Sequence, residues 1–121
     1  MKSLVILAAA IALASPFVAS ADQTPATRGY LAASDGEWQE ALRWFVVAAE
    51  DGDVTARETV AWMYLNGAAL FPGIERDVPL AKAWYQRAEA QGSAAATRML
   101  AQIERAPFDA VAAAPEAQPA R

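Results

Sequence analysis

The stretch AKAWYQRAEAQGSAAATRML (residues 81–100) breaks at Gly92 and resumes with small residues, as one unit ending and another beginning would. Set against the chain forty residues earlier, it proves to be a second copy. Ala41, Trp44, Ala48, Gly52, Ala56 and Ala61 recur as Ala81, Trp84, Ala88, Gly92, Ala96 and Ala101, and Phe45 and Val60 have the conservative counterparts Tyr85 and Leu100. Self-similarity at a period of this size is the signature of a repeat architecture, in which neighbouring units bury one another's apolar faces.

Working outward, Trp38, Ala41, Leu42, Phe45, Ala48 and Ala49 fall at spacings of three and four. That stripe predicts an amphipathic helix over 37–50. Gly52 closes it as a left-handed cap and Asp53 caps a second helix over 54–66, with Ala56, Val60, Met63 and Tyr64 toward its neighbour. The connection GAALFPGIERD (residues 67–77) holds two glycines and a proline and cannot be one helix. Asp77 caps the next start, with Pro79 tolerated in the first turn. Helices over 78–91 and 94–105 follow, separated by Gly92 and Ser93. Before the repeats, residues 24–33 suit a short helix that is broken by Ser34, Asp35 and Gly36. Beyond Arg105, APFDAVAAAPEAQPAR reads as a disordered Ala/Pro-rich tail with room for one short turn at 108–112.

The first residues read differently. Lys2, the apolar run Leu4–Leu13 and the small residues Ala19 and Ala21 about Ser20 have the form of a secretory signal peptide cleaved after Ala21. Ten apolar residues fall short of the ~20 that span a bilayer, so no stable membrane anchor is expected after cleavage. The expected product, residues 22–121, is periplasmic or secreted. Without Lys2 it carries nine basic against 14 acidic side chains, a balance of −5, which gives no electrostatic case for nucleic acid. Cysteine is absent, so stability must come from helix packing instead of disulfides.

The pattern A-x-x-W-[FY]-x-x-A-x-x-x-G-x-x-x-A, an apolar-small pair, then M-Y-x-x-G resembles the Sel-one-like repeat, a relative of the tetratricopeptide repeat. It runs here as Ala41, Trp44, Phe45, Ala48, Gly52, Ala56, Val60, Ala61, Met63, Tyr64 and Gly67. The second copy continues as Ala81, Trp84, Tyr85, Ala88, Gly92, Ala96, Leu100 and Ala101, and Gly73-Ile74-Glu75-Arg76-Asp77 matches the family's link into the next helix. The resemblance implies an all-α fold: a short right-handed α-α solenoid of two helical hairpins plus a flanking N-terminal helix. Its parts would be a signal peptide (1–21), an N-terminal half-repeat (22–35), repeat 1 (36–76), repeat 2 (77–105) and the tail (106–121). Alanine stands at 61 and 101 where glycine is common, and the turn after Gly67 has five residues where one is usual.

Chemical equipment is thin. The chain has no histidine or cysteine, which removes the commonest general base, the thiol nucleophile and most transition-metal ligand sets. Ser34 and Ser93 stand at expected helix caps. Glu50, Asp51 and Asp53 at one helix junction, and Glu75 with Asp77 at another, suit solvated caps and first-turn residues. They are the only basis for a remote reading as a carboxylate-based hydrolase, and no catalytic residue, metal site or cofactor is expected.

Binding is the more natural role. In helical-repeat proteins the first helix of each hairpin lines the inner face, so the resemblance points to Gln39, Arg43, Val46, Val47, Ala83, Gln86 and Arg87 as a surface for a protein or peptide partner. Trp62 lies off the packing stripe and is free for a partner or, in an alternative reading, for a peptidoglycan fragment or other carbohydrate. Leu42, Val46 and Val47 in the first copy correspond to Lys82, Gln86 and Arg87 in the second. Either the N-terminal helix covers these apolar residues or they form a patch. The inserted Leu70-Phe71-Pro72 poses the same choice. The expected function is a non-catalytic adaptor or accessory subunit of the bacterial envelope.

Overall fold

The computed structural model describes residues 23–105; the signal-peptide reading and the tail reading lie outside them. Five α-helices form the described chain: α1 (Pro25–Ser34), α2 (Trp38–Glu50), α3 (Val54–Asn66), α4 (Val78–Ala90) and α5 (Ala94–Arg105), with a 3-10 turn at Gly67–Ala69. There is no strand among the described residues. The helix limits carry the sequence period: α4 starts and ends forty residues after α2, and α5 starts forty after α3. Each helix packs chiefly on its neighbours in the chain, α1 on α2, α2 on α3, α3 on α4 and α4 on α5.

Three turns of one design join α1 to α2, α2 to α3 and α4 to α5. Gly36, Gly52 and Gly92 take φ of 75°, 98° and 93°. The next residue's N–H, on Glu37, Asp53 or Ser93, donates back to the carbonyl of Ala32, Ala48 or Ala88 at 2.9–3.1 Å, which satisfies carbonyls that the helix end leaves open. The starts are capped in turn. Asp53 accepts from the Ala56 N–H at 3.0 Å, Asp77 from Leu80 at 2.9 Å and Ser93 from Ala96 at 3.0 Å. Ser34 is different from expectation. It is the last residue of α1, and its hydroxyl donates to the Leu31 carbonyl at 2.8 Å instead of capping a start. Glu37 and Gln91 also fall just outside the helices predicted to include them.

The link between α3 and α4 is held at both ends. The Asp77 N–H donates to the Tyr64 carbonyl at 2.9 Å. Gly67 has φ 53°, and a Cβ there would lie 2.6 Å from the backbone nitrogen of Arg76, so only glycine fits. The inserted loop divides between the two expected fates. Ile74 is buried and Phe71 sets its ring edge-on to Trp38 at 5.3 Å, whereas Leu70 stays 52% exposed.

The core is rich in alanine. Ala41, Ala48, Ala56, Ala81, Ala88 and Ala96 are buried with Phe45, Val60, Met63, Trp84, Tyr85 and Leu100. Small side chains bring the helix backbones close, and the larger ones fill the space between. Ala49, Ala61, Leu65, Val78 and Ile103 complete it. Two expected packing residues, Trp44 and Tyr64, are only half-buried. Gly29 is an unforeseen member: it is buried in α1, and a Cβ there would lie 2.7 Å from the Phe45 ring. Tyr30 meets the same ring edge-on at 5.0 Å.

Candidate functional site

The surface predicted for a partner lies on α2 and α4, at positions that match through the forty-residue offset: Arg43 with Ala83, Val46 with Gln86 and Val47 with Arg87. Arg43 is 76% exposed and pairs with Glu40, one turn back, at 3.3 Å. Val47 is exposed, and so are Ala83 and Gln86. Val46 and Leu42 are half-buried against the core, so that of the three apolar residues in the first copy only Val47 forms open surface.

Two members of the predicted surface are committed internally. Gln39 donates through Nε2 to the Gly73 carbonyl at 2.9 Å, tying α2 to the α3–α4 link. Arg87 lays its guanidinium 4.3 Å over the Trp84 ring and grips Glu50 with two parallel bonds of 3.0 and 2.9 Å. This fork geometry matches a carboxylate in both shape and charge. The Arg87 hydrogen bonds hold the Glu50 carboxyl below its ordinary range, and Glu50 raises Arg87 in return. Arg87 thus bridges α4 to the end of α2. What remains open on this face is Arg43, Val47, Ala83 and Gln86.

Arg57 was not foreseen. From α3 it donates through Nε to the Ala49 carbonyl at 2.9 Å and through Nη1 to the Arg87 carbonyl at 3.4 Å. A cation placed among the last carbonyls of α2 and α4 complements both helix ends. The signal for it was the copy difference, since the equivalent position in α5 is Thr97. Gln91 adds a bond from Nε2 to the Gly52 carbonyl at 2.8 Å, and the Ser93 hydroxyl donates to Glu58.

Trp62 is 42% exposed at a cleft between α3 and α5 that Glu58, Thr59, Tyr85, Ala95 and Met99 also line. Burial, helped by the nearby Glu58 carboxylate, pushes the Tyr85 phenol up to about 12. A second cleft runs along Gln39, Leu42, Arg43, Tyr64, Ile74 and Glu75. The clefts hold about 250 and 280 Å³ respectively, below the ~300–1,000 Å³ of pockets that enclose a small molecule. The expected partner residues Leu70 and Phe71 sit apart from each other in environment, one exposed and one packed on Trp38.

Three of the candidate carboxylates have structural partners. Asp53 and Asp77 cap helices, and Glu50 is paired with Arg87. Among the described residues no group of three or more Asp, Glu, His or Cys is placed to hold a metal ion, and no helix is long and apolar enough to cross a membrane. Comparison with protein-family models, with curated proteins and with solved structures finds no match to this chain.

Proposed function

We propose that this chain is an exported two-hairpin helical solenoid, similar to the Sel-one-like repeat, and that it works as a non-catalytic adaptor or accessory subunit in the bacterial envelope. One observation carries the binding reading: Arg43 and Val47 on α2, and Ala83 and Gln86 on α4, are exposed on the first helices of the two hairpins, with Arg43 and Ala83 at matching positions. A cation, an exposed valine and an amide on two successive first helices suit an extended segment or one helix of another protein. The solenoid reading is supported by the equal offset of the helices and by packing between chain neighbours. Export is supported by the leader pattern before Asp22.

The test is capture from envelope extract with the tagged, exported chain, beside a bait carrying Arg43→Glu, Val47→Asp and Gln86→Glu. The proposal expects a protein enriched by the first bait and lost with the second, both being helical by circular dichroism. Equal enrichment by both would contradict the assigned face.

A second reading rests on Trp62 alone, since a half-exposed indole beside a shallow cleft can stack on a sugar ring. Titration with peptidoglycan fragments should then quench tryptophan fluorescence in the native chain and not in Trp62→Ala. A silent titration removes that reading.

A further inference from the structure

The cleft between α3 and α5 contains a polar group without a partner. Glu58, Thr59 and Trp62 line it from α3, Ala95 and Met99 from α5, and Tyr85 reaches it from α4. Tyr85 is 2% exposed. Its hydroxyl makes no hydrogen bond with another described residue, yet it is not sealed from solvent, and the cleft is the opening it meets. The matching residue of the first copy is Phe45, whose ring packs against Gly29 and Tyr30 of α1. The hydroxyl therefore stands in the copy that lacks this cover. A nearly buried hydroxyl left unpaired is unfavourable, and a ligand that pairs with it gains accordingly.

The rest of the lining selects the charge of that ligand. Glu58 is the one charged residue of the cleft. Its Oε1 accepts from the Ser93 hydroxyl, and its Oε2 has no hydrogen bond among the described residues. Thr59 spends its hydroxyl on the Thr55 carbonyl at 2.9 Å. Trp62 is 42% exposed, and an indole attracts a cation more strongly than the other aromatic rings do. We infer that the cleft binds a primary ammonium or guanidinium group carried on an apolar stem. The stem lies on Met99 and Ala95, the charge against Trp62, and the N–H groups donate to Glu58 Oε2 and the Tyr85 oxygen. An anion is opposed by Glu58, and a quaternary ammonium leaves both oxygens unpaired. The inference is independent of the partner surface on α2 and α4, and it gives the Trp62 cleft a cation in place of a sugar.

The test titrates n-butylammonium and a capped peptide with a single lysine into the whole protein. The Trp62 indole N–H is followed by NMR and assigned by its loss in Trp62→Phe. n-Butanol and tetramethylammonium serve as the neutral control and the control without donors. A saturable shift is expected with butylammonium or the peptide, the tighter of the two naming a free amine or a protein side chain as the source. Both controls should bind about tenfold more weakly. Glu58→Gln keeps an acceptor for Ser93, and Tyr85→Phe places in the second copy the ring that the first already holds, so both variants should retain the native circular dichroism. Each should weaken amine binding about fivefold. Butanol binding as tightly as butylammonium, or unchanged amine binding in Glu58→Gln, overturns the inference and leaves an apolar groove. A silent titration with both amines overturns it as well.

Discussion

The hairpins α2–α3 and α4–α5 share one interior and differ at their borders. Within each hairpin the same small residues recur: Ala41 and Ala81, Ala48 and Ala88, Gly52 and Gly92, Ala56 and Ala96. The alanines of both sets are buried. Divergence falls where a copy meets its surroundings. Trp84 is 7% exposed, beneath Arg87. Trp44 is half-buried, with Glu40 Oε1 accepting from its indole at 3.2 Å and Arg28 of α1 over its ring at 4.7 Å. A complete hairpin precedes the second tryptophan and a single helix precedes the first. Position in the array, more than residue type, decides how deep each one sits.

The shared interior is the place to break the comparison most severely. Ala88 is fully buried, and Ala88→Trp inserts a bicyclic ring where two helix backbones meet. Overpacking costs about 1–3 kcal/mol or more, a large part of the ~5–15 kcal/mol that holds a domain together. The cooperative thermal transition followed by circular dichroism should be lost. The same substitution at exposed Ala83 should leave it within about 0.5 kcal/mol of the native chain. A well-folded Ala88→Trp protein with an unchanged midpoint would refute the matching of the two copies.

Glycine gives the next largest effect. Gly67→Ala combines a positive φ with contact against the Arg76 backbone and should cost about 3 kcal/mol in chemical denaturation. Gly52→Ala meets open space and should cost about 1 kcal/mol for the left-handed backbone alone. Similar costs at the two sites would show that the close approach at Gly67 is relieved by movement of the link.

The borders separate the copies further. Arg57→Ala removes the donor to two helix ends and should destabilise by about 1.5 kcal/mol, whereas Thr97→Ala should fall within about 0.5 kcal/mol. Denaturant midpoints measured with constant slope decide between them.

The smallest effect distinguishes Tyr85 from its counterpart Phe45. The folded protein raises the Tyr85 phenol from 10.0 to about 12, so its neutral form is favoured in the native state. The contribution is complete below pH ~10 and is lost as pH rises toward 12. Tyr85→Phe should therefore show a shallower fall of the thermal midpoint across that window. An identical fall in both proteins would place the alkaline sensitivity elsewhere.

Much of this helical arrangement was legible in sequence because it is local. Spacings of three and four fixed the helix faces, and glycine followed by Asp or Ser fixed two of the three short turns. Border contacts were not legible, since each joins residues distant in the chain. Nothing local marks Gly29, whose lack of a side chain leaves room for the Phe45 ring. Arg57 was not singled out in the sequence, and Arg87, expected on the partner surface, is held by Glu50. Gln39 looked like recognition surface and proves to brace Gly73. Trp62 was different: its departure from the packing stripe was enough to mark its exposure.

The central claim is that the exposed positions on α2 and α4 hold a protein partner. Its most direct test is the dissociation constant of the captured partner, by calorimetry, for the native chain, Val47→Asp and Trp62→Ala. The account predicts at least tenfold weaker binding for Val47→Asp and an unchanged constant for Trp62→Ala. Weakening by Trp62→Ala with Val47→Asp unaffected would contradict it and move the binding surface to the α3–α5 cleft.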